Sequence, residues 1–183
     1  MHIRRDEFET QRRYYLPLMQ KSFFIHPTDI MYAIGCDATN NTLVMKLRLL
    51  KHWQTKPFNI IAPSKEWIKE HIDLPEEALE QFPGPTTIVA RLKNLDAVAQ
   101  EVHLGTGIVG IRMPDHWISR VVNNLNKPIV STCANRKSGR LMTHIEDGHA
   151  DLMNACAVIL HEGIKSGQQP TFIDYTQTNL ITE

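Results

Sequence analysis

This chain has no excess charge of either sign: twenty Lys and Arg balance twenty Asp and Glu, so the formal net charge is zero. No global field recruits nucleic acid or an acidic membrane surface, and any anion site must be local. Cysteine is scarce as well. Cys36, Cys133 and Cys156 are odd in number, far apart and without CxxC spacing, which argues against a disulfide framework or a zinc ribbon. A reducing cytoplasm is the simplest home for such a chain. No stretch approaches the roughly 18 apolar residues of a membrane span, and MHIRRDEFETQRRYYL has no apolar core of the kind a secretory leader carries. Secretion and membrane insertion are therefore not expected. Repeats and low-complexity linkers are also missing. With 42% apolar and 22% charged residues, the 183-residue chain has the composition of an ordinary globular protein, and its length suits one domain, 1–183, with a real core.

What the chain does have is an alternation of strand and helix patterns. Residues 6–16 read as helix, with Phe8, Tyr15 and Leu16 as core contacts, and residues 22–25 read as a strand ended by Pro27. TNNTLVMKLRLLKHW places Leu43, Leu47 and Leu50 at helical spacing, with Thr39 or Asn40 able to cap the first turn. Residues 35–40 read as the turn into that helix. FNIIAP is a short buried strand, SKEWIKEHI a helix capped by Ser64, and PEEALEQF a helix opened by Pro75 and stopped before Pro83. TTIVARL and TGIVGIRM are strands, and PDHWISRVVNNL is a helix with Trp117, Val121 and Leu125 on one face. PIVSTCAN, ACAVILHE and TFIDY supply the last strands. This order predicts an α/β protein on a central sheet, where ligands bind beyond strand ends.

Four polar places follow apolar runs. Thr28 and Asp29, in PTD, are ordinary turn formers or the edge of a ligand mouth. Lys51 and Lys56 are either the solvated end of a helix or phosphate ligands. Arg112 leaves the strand GIVGI with a planar fork suited to a carboxylate or phosphate, or to a structural ion pair. Ser131, Thr132 and Asn135 can hold phosphate oxygens or close a turn. Other chemistries are weaker. His144, His149 and His161 show no metal-ligand spacing, no His and carboxylate partner can be assigned to Cys133, and the glycines at 105–110 lack a dinucleotide-binding context.

Six stretches carry a resemblance: PTDIMYAIGCDATN, KHWQTKPFNIIAPS, FPGPTTIVARL, GIVGIRMPDH, PIVSTCANRKSG and HEGIKSGQQPTFIDYT. In order and approximate spacing, over about residues 23–176, they resemble the YrdC/YciO-like family. The resemblance implies a twisted mixed sheet flanked by helices with a concave, positively charged central cavity. It also implies a threonylcarbamoyl-AMP synthase-like activity that combines L-threonine, bicarbonate and ATP, with Mg2+ arriving on the ATP, for modification of tRNA. By motif, Thr28 and Tyr32 flank the threonine site, Arg112 grips its carboxylate, and Lys51 and Lys56 face ATP phosphates. Ser131, Cys133 and Asn135 meet nucleotide or intermediate. The alternative is a YciO-like non-synthase paralogue that binds nucleotide or double-stranded RNA. Three positions depart from the family pattern: Trp53 replaces an arginine, while Ile30 and Cys133 replace hydroxyl residues.

Overall fold

The alternation folds into one mixed sheet, described by a computed structural model for residues 1–135, 141–166 and 170–177. Its strands are β1 (His2–Arg4), β2 (Phe23–Pro27), β3 (Tyr32–Asp37), β4 (Asn59–Ile61), β5 (Ile72–Asp73), β6 (Thr86–Leu92), β7 (Ile108–Arg112), β8 (Ile129–Cys133), β9 (Cys156–His161) and β10 (Thr171–Asp174). The helices are α1 (Arg5–Thr10), α2 (Arg12–Lys21), α3 (Asn41–Lys51), α4 (Lys65–His71), α5 (Gln100–His103), α6 (Trp117–Leu125) and α7 (Ala150–Ala155). Among the described residues the strands lie in the order β1-β9-β2-β3-β8-β4-β7-β6-β10, with β5 added beside β6. Pairings are parallel for β1 with β9, β2 with β9, β4 with β7 and β6 with β10; β3, β8 and the β6–β7 hairpin bring antiparallel pairs. The sequence prediction of an α/β fold on a twisted mixed sheet holds.

Strand alternation sends successive side chains to opposite faces, so each face has its own core. On one, Ile25, Ile34, Ile60, Ile88, Ile111 and Val130 pack with Val44 and Leu47 of α3, Ile68 of α4, Val102 of α5 and Leu152 of α7. On the other, Phe24, Ile61, Ile129, Val158 and Leu160 pack with Phe8 of α1, Tyr15 and Met19 of α2, and Trp117, Ile118 and Val121 of α6. That second cover is incomplete. Among the described residues the same face is left open beyond Ile61 and Ile129, and the cavity lies there.

Several expected elements differ in detail. The helix over 6–16 is divided at Gln11, whose φ of −111° and ψ of 24° separate α1 from α2. PEEALEQF is a 3-10 helix over Glu76–Gln81, too short a polar stretch to propagate α-helical hydrogen bonds. Residues 35–37, read as a turn, belong to β3, all six residues of which are buried; Gly35 is required there because a side chain would meet the Val130 carbonyl oxygen at 2.5 Å. Asn40 caps α3 by accepting from the Leu43 amide at 3.1 Å, and Ser64 caps α4 by accepting from the Trp67 amide at 3.1 Å. The buried face of α3 is Val44, Leu47, Arg48 and Lys51, with Leu43 and Leu50 only partly covered. Two cations enter a core because each finds carbonyl oxygens there.

Candidate functional site

The open half of the sheet forms a cavity of about 660 Å³. Its floor comes from alternate residues of adjacent strands: Asn59 of β4, Ile108 and Gly110 of β7, Val89 of β6, and Ser131 and Cys133 of β8. Gly110 is fixed by its neighbour, since any side chain at 110 would collide with the Asn59 amide. Trp53, Lys56, Pro57 and Phe58 make one wall; Phe172 of β10 and Pro170 stand on another side, with Met31 and Leu141 completing the rim.

The wall carrying Trp53 is built from the end of α3. His52 takes a left-handed conformation, φ 52°, and its N–H bonds back to the Arg48 and Leu49 carbonyls, so the chain turns away from the helix axis into the cavity wall. Arg48 then ties the turn down. Its guanidinium donates to the carbonyls of Trp53 at 2.8 Å, Lys56 at 2.9 Å, Glu101 at 2.6 Å and Val102 at 3.3 Å, and it sits 4.4 Å from the centre of the Phe58 ring. Lys51, 3% exposed, donates from Nζ to the Cys133 carbonyl and, at 2.7 Å, to the Asn135 carbonyl. Burial brings its ammonium down to about 8. Lys51 therefore shapes the turn after β8 and does not line the cavity. Lys56 does line it, exposed, with Nζ 6.0 Å from the Trp53 ring centre.

The turn after β2 is closed by Thr28. Its Oγ1 donates to the Met31 carbonyl at 2.8 Å and accepts from the amides of Ile30 and Met31, so its hydroxyl is engaged within the turn. Ile30 is buried and does not line the cavity. Asp29 pairs with Arg112, whose Nη2 reaches both carboxylate oxygens at 2.8 and 3.1 Å. Arg112 is 5% exposed, and its Nε is buried without a partner among the described residues. Nearby His26 is fully buried: Nδ1 lies 3.2 Å from the Pro27 carbonyl while Nε2 has no partner among the described residues. Burial pushes this imidazole down to about 4, helped by the adjacent His116 and Arg112.

Tyr32 points elsewhere. Its hydroxyl donates to the Gly163 carbonyl at 2.6 Å and accepts from the Glu162 amide at 3.0 Å, and it borders a separate cavity of about 540 Å³. Beside it Glu162 is buried enough to raise its pKa, yet hydrogen bonds from Lys165, His116 and Trp117 outweigh this and hold it at about 2. His116 Nδ1 accepts from the Ile118 amide at 3.3 Å, leaving Nε2 as the donor to Glu162 at 2.6 Å.

Of the residues marked by sequence, Lys56, Ser131, Thr132 and Cys133 line the large cavity, and Asn135 meets them through the Lys51 bond. Thr28 and Arg112 join at the adjacent turn, and Tyr32 is apart. Residues 136–140 of PIVSTCANRKSG and 167–169 of HEGIKSGQQPTFIDYT lie outside the described residues. Sequence reasoning missed Asn59 and Phe172. The signal for Asn59 was a polar residue inside the apolar run FNIIA; Phe172 gave none, being an ordinary strand residue. No group of three or more His, Cys, Asp or Glu able to hold a metal occurs among the described residues, and no helix among them is long and apolar enough to cross a membrane.

A mixed sheet with one face half covered by the described residues, and a cavity with polar residues on its floor, defines an α/β protein with its cavity on the sheet itself. The Sua5/YciO/YrdC family model, described as Telomere recombination, matches residues 18–182, and the chain belongs to that family. Threonylcarbamoyl-AMP synthase of Aliivibrio fischeri is 27% identical over 173 residues, 88% of this chain and 91% of the relative. P. abyssi Sua5, solved in complex with L-threonine, matches with a TM-score of 0.83 at 24% identity, over 98% of this chain and 55% of that one. E. coli YciO matches with a TM-score of 0.81 at 17% identity, over 97% of this chain and 90% of that one. The chain thus spans about half the length of Sua5, and these two structural likenesses bear on the fold.

Proposed function

We propose that this chain is a cytoplasmic threonylcarbamoyl-AMP synthase-like nucleotidyltransferase serving tRNA modification. The amine of L-threonine takes up the carbon of bicarbonate with loss of water. A carbamate oxygen then attacks the α-phosphorus of ATP, and pyrophosphate leaves with the broken P–O bond's electron pair. Such a reaction is driven by positioning and charge neutralisation and uses no covalent nucleophile on the protein. Mg2+ enters as part of the ATP substrate, keeping several waters.

The observation that carries the reading is the convergence of Lys56, Ser131 and Cys133 on one cavity beside the Thr28 turn and Arg112, in a chain whose relatives are threonylcarbamoyl-AMP synthases. Lys56 meets phosphate; Ser131, Cys133 and Asn135 meet the nucleotide or the intermediate. Lys51 acts through the carbonyls of Cys133 and Asn135. Arg112 takes the threonine carboxylate in exchange for that of Asp29, which holds its Nη2 in the free protein. Thr28 and Tyr32 hold the surrounding chain in place with hydroxyls already engaged.

Pyrophosphate release is measured with ATP, Mg2+, L-threonine and bicarbonate. Release that depends on threonine is expected, and Arg112→Ala should raise the threonine KM by roughly 10- to 100-fold, the loss of a charge-assisted hydrogen bond. If protein that binds ATP gives no threonine-dependent release, the synthase reading falls. The non-synthase, YciO-like reading then stands, with nucleotide or double-stranded RNA as its ligand.

A further inference from the structure

We infer that Trp53 is a specificity-determining residue that takes the nucleobase of the ligand by stacking, so that the cavity selects a nucleoside phosphate over a sugar phosphate without a base. The inference rests on the reading of the cavity as a nucleotide site.

Trp53 is half-buried, lines the cavity and stands where the resemblance implies an arginine. An indole cannot neutralise phosphate; it offers a flat apolar face, to which any base can stack. The surroundings suit a planar guest. Val89 and Ile108 supply apolar floor, and Phe172, 59% exposed on β10, presents a second aromatic ring to the same space. The polar edge of a base has Asn59 and Ser131 within the cavity to meet it.

The indole is also held in place. Arg48 grips the carbonyls of Trp53 and Lys56 from beneath, and the ring packs against the buried core on its inner side. Its Nε1 is buried without a partner among the described residues, so the polar edge of the ring is kept out of solvent. Lys56, in contrast, is exposed, and its ammonium rests 6.0 Å from the ring centre, at the outer limit of a cation–π contact. It is free to leave the ring when a base arrives and to meet the attached phosphate. One turn thereby supplies a rigid platform for the base and a mobile cation for the phosphate.

The test compares AMP with ribose 5-phosphate, which keeps sugar and phosphate but lacks the base, by calorimetric titration of the full chain. The parent protein is expected to bind AMP roughly 10- to 100-fold more tightly, the range of one base stacked on an aromatic ring. Trp53→Phe should keep the preference. Trp53→Leu, which keeps apolar bulk without a π face, should abolish it. Equal affinities in the parent, or an undiminished preference in Trp53→Leu, would overturn the inference; the parent comparison stands even if the Leu variant fails to fold. Because binding is read without turnover, an intact base preference beside absent pyrophosphate release sinks the synthase reading alone. Release without base preference sinks this inference alone.

Discussion

One face of the sheet carries two surfaces that differ by a single step along each strand. On β4, Ile61 is buried among the apolar side chains of α6, while Asn59, two residues before it, floors the cavity. On β8, Ile129 lies opposite Ile61 in the same core, while Ser131, two residues on, faces the open space. Across this boundary β4 stays paired with β7 and β8 with β3, while the pairing of β4 with β8 joins Ile60 to Val130 and Ile61 to Ile129. Core and site are therefore distinguished by what covers the strand, not by the strand itself. Where α1, α2 and α6 reach, alternate positions must be apolar; where they stop, the same register is free to carry amide, hydroxyl and thiol.

The comparison can be broken most severely at its supports. Arg48→Met leaves four carbonyls without their donor under the cavity wall and should cost about 4 kcal/mol, read as a fall in Tm of roughly 10 °C. Ile61→Ala, in the covered half, should cost about 3 kcal/mol through lost burial and the cavity left behind, measured by urea unfolding. A pH dependence of similar size comes from His26. Its folded pKa, about 4, lies below the unfolded 6.5, so between these values the unfolded chain binds more protons and stability falls as pH falls. The loss across that window is about 3 kcal/mol, and His26→Asn should flatten it; an unchanged slope in that variant would assign acid sensitivity to other groups. Asn59→Ala, in the open half, should change stability by less than about 1 kcal/mol, and Phe172→Ser by less than about 0.5 kcal/mol. A large loss at either would mean that the open half is packed like its neighbour.

Much of this was legible in the residues. The caps Asn40 and Ser64, the helical face of α6 and most strand cores follow local rules that single sequences carry. Lys56 and Ser131 were found because polar residues follow apolar runs at strand and helix ends, and Cys133 through the resemblance of PIVSTCAN to the family. The fate of Lys51 was not legible, since its place depends on carbonyls more than eighty residues away, at Cys133 and Asn135. Arg48 hid for the same reason: on a helical wheel it resembles any solvated arginine, and only the fold brings Glu101 and Val102 to it. Tyr32 read as a cavity wall because strand period cannot say which of two cavities a face adjoins. β1 was missed because three residues, with one buried, give no periodicity to detect.

The grip of Arg48 on the chain from Trp53 to Lys56 has a kinetic consequence. A binding wall already ordered in the free protein loses little conformational freedom when a ligand arrives, so association should approach the rate set by diffusion and orientation. Selectivity among ligands would then reside in how long each stays. The rim of the cavity would behave as a mould rather than a latch, with residence time, not capture, separating the right guest from the wrong one.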